Sequence, residues 1–268
     1  MHVIIIEKGK RRRIDVRQGE VCVCYYTQYF EFRFNFNLSS SQVFLLPSRI
    51  PHSPQRPEAG SLGLVVERRR YDGEVDGLRW FTDFETCDKI LYEKYFQCFD
   101  LGRDLVPVVK EYLASPEKAS MTPSPNSVVA QPPFATDTTT ALPAPFALAD
   151  WLDAHADELE RGAVLNLFDG HPDREICVRV CGVGGTRQTP AVWQYETLLY
   201  QLRGSARVAV APPSSTNSDI GVDVGALEWR ELREGECGVV PARCAFAVER
   251  AAGSVGFWIT QDPLGNKE

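Results

Sequence analysis

The chain has 268 residues, a formal net charge of −7, and 44% hydrophobic against 24% charged residues, the profile of a globular protein with enough length for one large domain or two small ones. The acidic balance argues against a nucleic-acid partner, which needs a concentrated basic surface, and no apolar run reaches membrane-spanning length. Eight cysteines without a CxxC pair read as free thiols in a reducing compartment, so the expected location is the cytosol.

The start, Met1 to Lys8, has too short an apolar core for a signal peptide. The basic clusters Lys8 to Arg13 and Arg68 to Arg70 read as solvated strand ends. Between them lies Val21 to Gln42, VCVCYYTQYFEFRFNFNLSSSQ, aromatic-rich and only partly alternating. Its first residues can be encoded by a GT repeat and its last by a pyrimidine-rich tract ending in CAG, the two ends of a spliceable intron. Residues 21–42 are therefore expected to be a retained-intron insert, with a β-hairpin arm as the alternative.

Phe44 to Arg56, FLLPSRIPHSPQR, comes next. Pro47, Pro51 and Pro54 bias the residues before them toward extended backbone, which would put His52 and Arg56 on one face. Leu62 to Glu67 alternates like a strand beyond a Pro57–Gly60 turn, and a hairpin here would let Glu67 face Arg56. Taken alone, the histidine reads as a turn residue and the Arg–Glu pair as a salt bridge. Cys87 to Leu113 carries apolar residues at helix-like spacing, broken near Gly102, and predicts two short helices. The proline-, serine- and threonine-rich stretch from Ser115 to Pro145 reads as a linker, at its barest over 129–145. Leu148, Trp151, Leu152, His155 and Leu159 share one helical face, on which His155 packs rather than ligates. Six short runs follow, Ile176–Val180, Thr197–Gln201, Ala206–Ala211, Gly238–Val240, Ala245–Val248 and Ser254–Ile259, at the spacing of an all-β sandwich or small barrel.

PHSPQR, GLVVERRR (Gly63 to Arg70), YDGEVDGLRW (Tyr71 to Trp80), ILYEKYFQCFDLG (Ile90 to Gly102), LADWLDAHADEL (Leu148 to Leu159), YQLRG (Tyr200 to Gly204) and TQDP (Thr260 to Pro263) together resemble the animal 3-hydroxyanthranilate 3,4-dioxygenases. The resemblance implies a mainly β bicupin, two β-barrel domains with a few short helices. Residues 1–128 would form a first, catalytic-type cupin that is incomplete because its N-terminal strands are missing, 129–145 the linker, and 146–268 a second, degenerate cupin without a metal site. It implies an Fe(II)-dependent ring opening of 3-hydroxyanthranilate by O2 on the way to quinolinate and NAD, in a monomer if the barrels are intact.

By match to the motif, His52 is similar to an iron ligand and Arg56 to the clamp on the substrate carboxylate. Glu67 is similar to the acid that meets the ring substituents, a catalytic and substrate-binding role. The chemistry suits these residue types. A guanidinium fork fits a carboxylate, and a carboxylate near a phenol can take its proton. The family's remaining histidine and glutamate ligands have no counterpart here, so weak or absent Fe(II) binding is expected, and a non-catalytic bicupin fragment or misassembled gene product is the competing reading.

Overall fold

The computed structural model describes residues 2–5, 20–22, 42–52, 64–67, 70–83, 86–172, 175–188, 194–211 and 227–261. Mostly strands with a few short helices, the chain divides into two compact units, one of residues 2–26 and 46–142, the other chiefly of residues 27–45 and 143–268. Among the described residues no sheet closes on itself.

In the first unit the strands are β1 (His2–Ile5), β2 (Glu20–Cys22), β4 (Leu64–Glu67), β5 (Asp76–Phe81) and β6 (Ile90–Phe96), while β3 (Gln42–Leu46) lies at the division. β4 lies between β1 and β2 and pairs antiparallel with both. The expected long extended run through His52 stops early. β3 ends at Leu46, and Ser48–Arg49 form a turn in which Arg49 takes φ 65°, a left-handed backbone that reverses the chain before Pro51. Among the described residues β4 pairs with β1 and β2; Arg56 and the predicted Pro57–Gly60 turn, on which the expected hairpin rests, lie outside them.

The first of the two helices expected in Cys87 to Leu113 is instead β6. Ile90, Tyr92, Tyr95 and Phe96 favour a pleated surface, and pairing with β5 supplies one: Trp80 lies opposite Tyr92 and Gly77 opposite Tyr95. A π-type turn over Leu101–Leu105 leads into α1 (Val106–Leu113), with Pro107 in the first turn, where its missing N–H costs nothing. Val108 and Val109 bury against Leu78, and the Tyr112 ring stacks on Trp80 with centroids 4.0 Å apart.

Beyond α2 (Pro116–Ser120), capped by Ser115, residues 129–145 contain no helix or strand, yet their start is laid along β6. Glu93 N–H donates to the Ser127 carbonyl at 2.8 Å, Glu93 Oε1 accepts from Val129 N–H at 2.8 Å, and Phe134 meets the Tyr95 ring edge-on. Gly77 makes room for this layer, since a Cβ there would lie 2.8 Å from the Tyr95 ring.

Burial raises the phenol of Tyr92, further helped by its hydrogen bond to Glu111, and burial likewise raises Tyr112. The folded state holds both protons more tightly than the unfolded chain, so their contribution is intact below the unfolded tyrosine value of 10.0 and is lost as pH rises toward the folded values. Urea midpoints measured at pH about 8 and about 11 should therefore fall with pH, and the fall should shrink in Tyr92→Phe/Tyr112→Phe; an equal fall in that variant contradicts the assignment.

In the second unit β7 (Phe146–Ala147) pairs with β3 and leads into α3 (Leu148–Ala154). The single helix expected to Leu159 is broken at His155, whose φ of −112° and ψ of 13° leave the helix before α4 (Ala156–Glu160) begins. The cause is local: the His155 ring stacks on Trp151 at 4.0 Å and its Nδ1–H donates to the Trp151 carbonyl at 2.7 Å. His155 packs, as read from the sequence. After β8 (Val164–Asn166) come β9 (Ile176–Cys181), β10 (Gly184–Gln188), β11 (Thr197–Arg203), β12 (Ser205–Val210), β13 (Trp229–Arg233), β14 (Cys237–Val240), β15 (Phe246–Arg250) and β16 (Val255–Gln261). They form a four-stranded sheet, β10-β15-β12-β13, and a five-stranded sheet, β14-β11-β16-β9-β8. A core of Cys181, Leu199, Ala206, Val208, Val240, Phe246, Val248 and Trp258 joins the two sheets face to face. All six predicted strands of this half are present.

Candidate active site

Glu67 ends β4, and its Cα register partners are His2 on β1 and Glu20 on β2. Its side chain is buried at 4% exposure beside two equally buried charges, Arg70 at 4% and Asp76 at 2%. Arg70 Nη1 donates to Glu67 Oε2 at 3.3 Å and Arg70 Nε to Asp76 Oδ1 at 3.2 Å, so one guanidinium bridges two carboxylates. This corrects the expectation that Arg70 belongs to a solvated strand end; Arg68 and Arg69, and the cluster Lys8 to Arg13, lie outside the described residues. The bridge follows from the turn at Asp72–Gly73, where Gly73 takes φ 87° and brings the start of β5 back beside the end of β4.

His52 is half-buried in the segment after β3, and its Nδ1 lies 2.8 Å from the Ile50 carbonyl. A carbonyl only accepts, so Nδ1 carries the proton. That tautomer is the one metal-binding histidines commonly adopt, with the remote N–H anchored on a backbone oxygen. Arg56, the expected carboxylate clamp, lies outside the described residues.

A facial iron site needs two imidazoles and a carboxylate converging on one point. Among the described residues no group of three or more His, Cys, Asp or Glu side chains is placed to hold a metal ion. His52 has the tautomer of a metal-binding histidine, and the Glu67 carboxylate is held by Arg70. In the second unit His171 is buried in a turn, its ring edge-on to Phe168. A groove of about 620 Å³ in that unit is lined by β12, β13 and β14, with Val208, Leu232 and Val240 at its floor and Glu228, Arg230, Glu231 and Glu236 among its polar lining. Cys87, Cys98, Cys177, Cys181, Cys237 and Cys244 form no disulfide with one another. Among the described residues no helix is long and apolar enough to cross a membrane.

A sequence model of the family described as 3-hydroxyanthranilic acid dioxygenase matches residues 32–113, a span that begins inside 21–42 and contains His52, Arg56, Glu67, Arg70 and Asp76. The rat 3-hydroxyanthranilate 3,4-dioxygenase is 34% identical over 264 residues, which cover 98% of this chain and 76% of the rat protein. The chain belongs to the 3-hydroxyanthranilate 3,4-dioxygenase family. The human protein of the same name is 35% identical over 271 residues, and that of the sea anemone Nematostella vectensis 34% over 263 residues, covering 98% of this chain and 78% of the anemone's. An RmlC-like cupin of Methanocaldococcus jannaschii superposes on 39% of the chain and 82% of its own at a TM-score of 0.28 and 11% identity, too slight a likeness to carry weight. Within the family motifs, Arg70 and Asp76 are the buried ion-pair neighbours of Glu67 that sequence reasoning missed. The signal was present in VERRRYDGEVD: an arginine three residues after the acid, and a second acid across a Gly turn.

Proposed function

We propose that this protein opens the ring of 3-hydroxyanthranilate with O2, inserting both oxygen atoms to give 2-amino-3-carboxymuconate semialdehyde on the route to quinolinate and NAD. The observation that carries the reading is family membership, with the PHSPQR and GLVVERRR motifs present together. In this reading the Arg56 guanidinium holds the substrate carboxylate by paired charge-assisted hydrogen bonds. Glu67, kept as a carboxylate by its salt bridge to Arg70, takes the phenol proton. His52 would be a ligand to Fe(II), the metal that would activate O2 and bind the substrate oxygen, with weak binding expected. In this reading residues 1–128 and 146–268 are the two cupins of a monomeric bicupin, the second without metal, joined by residues 129–145. Six cysteines that form no disulfide with one another agree with a cytosolic setting.

Residues 21–42 are a retained intron in this reading. Mature transcripts should run from the Glu20 codon directly to that of Val43; their presence in every transcript overturns that part.

One observation favours a second reading, a bicupin without catalysis: Glu67 is held in a buried ion pair. Titrating the purified chain with Fe(II) while following O2 uptake on addition of 3-hydroxyanthranilate separates the two. We expect turnover that requires Fe(II) in excess and disappears on desalting. A folded chain that consumes no O2 at any Fe(II) concentration supports the non-catalytic reading.

A further inference from the structure

On the inner face of the second unit a buried guanidinium has two nitrogens without an acceptor among the described residues. Strand register identifies that face. On β15, Phe246, Val248 and Arg250 alternate inward; on β16, Gly256 and Trp258 do so, opposite Cys181 and Arg179 of β9 and opposite Gln201 and Leu199 of β11. Arg250 is buried at 6% exposure, and neither its Nε nor its Nη1 meets an acceptor. Its guanidinium lies across Gly256: a Cβ there would be 2.8 Å from Nε and 2.9 Å from Nη2. The Trp258 indole Nε1–H on the same face is also buried without a partner, and the Arg179 guanidinium stands 5.4 Å over the Trp258 ring. The unsatisfied groups here are all donors. The carboxylates of these strands sit elsewhere: Glu249 faces outward and pairs with Arg207, and Glu231 lies opposite Arg207 on that same outer face.

A buried cation with no counter-charge is expensive, and buried polar groups in folded proteins find partners. Replacing such a charge by an apolar chain of similar length is neutral or stabilising unless something pairs with it. We propose that Arg250 anchors a site for a small monovalent anion, chloride or a simple carboxylate, inside the second unit, with the Gly256 cradle leaving the guanidinium room to lie flat. The site is remote in sequence from His52, Arg56 and Glu67 and does not depend on the catalytic reading.

The test is the thermal unfolding midpoint of the whole chain at constant ionic strength, with potassium gluconate, whose anion is too bulky for the interior, replaced stepwise by potassium chloride in one arm and potassium acetate in another. The native chain should gain about 3 °C at ten times the dissociation constant and then continue only logarithmically. Whichever of the two anions acts identifies the occupant. Arg250→Met should lose the anion response while unfolding no lower than the native chain in gluconate. Gly256→Ala, which crowds the guanidinium, should also lose the response, and broadening of the chloride-35 resonance by the native chain, reversed by acetate, reports binding without any variant. Equal midpoints of the native chain in all three salts, with no chloride broadening, overturn the site. So does an Arg250→Met chain that unfolds well below the native one in gluconate, because Arg250 then has a protein partner of its own.

Discussion

Arg70→Met should lower the stability of the first unit by about 3–5 kcal/mol, the usual cost of removing one member of a buried ion pair. Arg70 is 4% exposed and bridges Glu67 at 3.3 Å and Asp76 at 3.2 Å, so its loss leaves two carboxylates, themselves 4% and 2% exposed, without the guanidinium they share. The whole loss falls where β4 hands over to β5, and the aromatic layer of Trp80, Tyr92 and Tyr112 depends on that junction. Urea unfolding monitored by tryptophan fluorescence measures the effect. Adding Glu67→Gln and Asp76→Asn to Arg70→Met should restore a large part of the loss, since the carboxylates then no longer need a counter-charge. A single variant as stable as the native chain would show that the bridge contributes nothing.

Arg56→Met should cost about 2–4 kcal/mol of transition-state binding for 3-hydroxyanthranilate, roughly a 30- to 700-fold fall in kcat/KM, because truncating one partner of a desolvated charge pair leaves the other unpaired. The fall should be much smaller for an analogue lacking the carboxylate, since Arg56 has nothing to hold there. An equal fall for both compounds assigns Arg56 to folding rather than to recognition.

The strands of the second unit were legible because each is a short apolar run between turn residues, as in ICVRVC and TLLYQLR. β8, β10 and β13 were not: VLN is only three residues long, Gly184-Gly185 looks like a turn, and WRELR is an edge strand whose charges face solvent. β6 was misread because Ile90, Leu91, Tyr95 and Phe96 satisfy a helical spacing as well as they satisfy a strand; long-range pairing with β5 decides between them. At the site, residue types and motifs identified His52 and Glu67 but not what they touch. The Ile50 carbonyl that sets the His52 tautomer and the Arg70 bridge to Glu67 arise from turns at Arg49 and Gly73, which fix side-chain partners that periodicity does not encode. Arg70 shows the limit most clearly: three consecutive arginines look like a solvated edge, and burial of the third depends on an acid six residues further on.

The most direct measurement is the reaction of the Fe(II)-supplied chain with 3-hydroxyanthranilate under oxygen-18 gas, with the product read by mass spectrometry. Both labelled atoms should appear in 2-amino-3-carboxymuconate semialdehyde, with loss of product in His52→Ala. No ring-opened product from a folded chain, or product whose new carboxylate carries no oxygen from the gas, would contradict the assignment of this protein as a ring-opening dioxygenase.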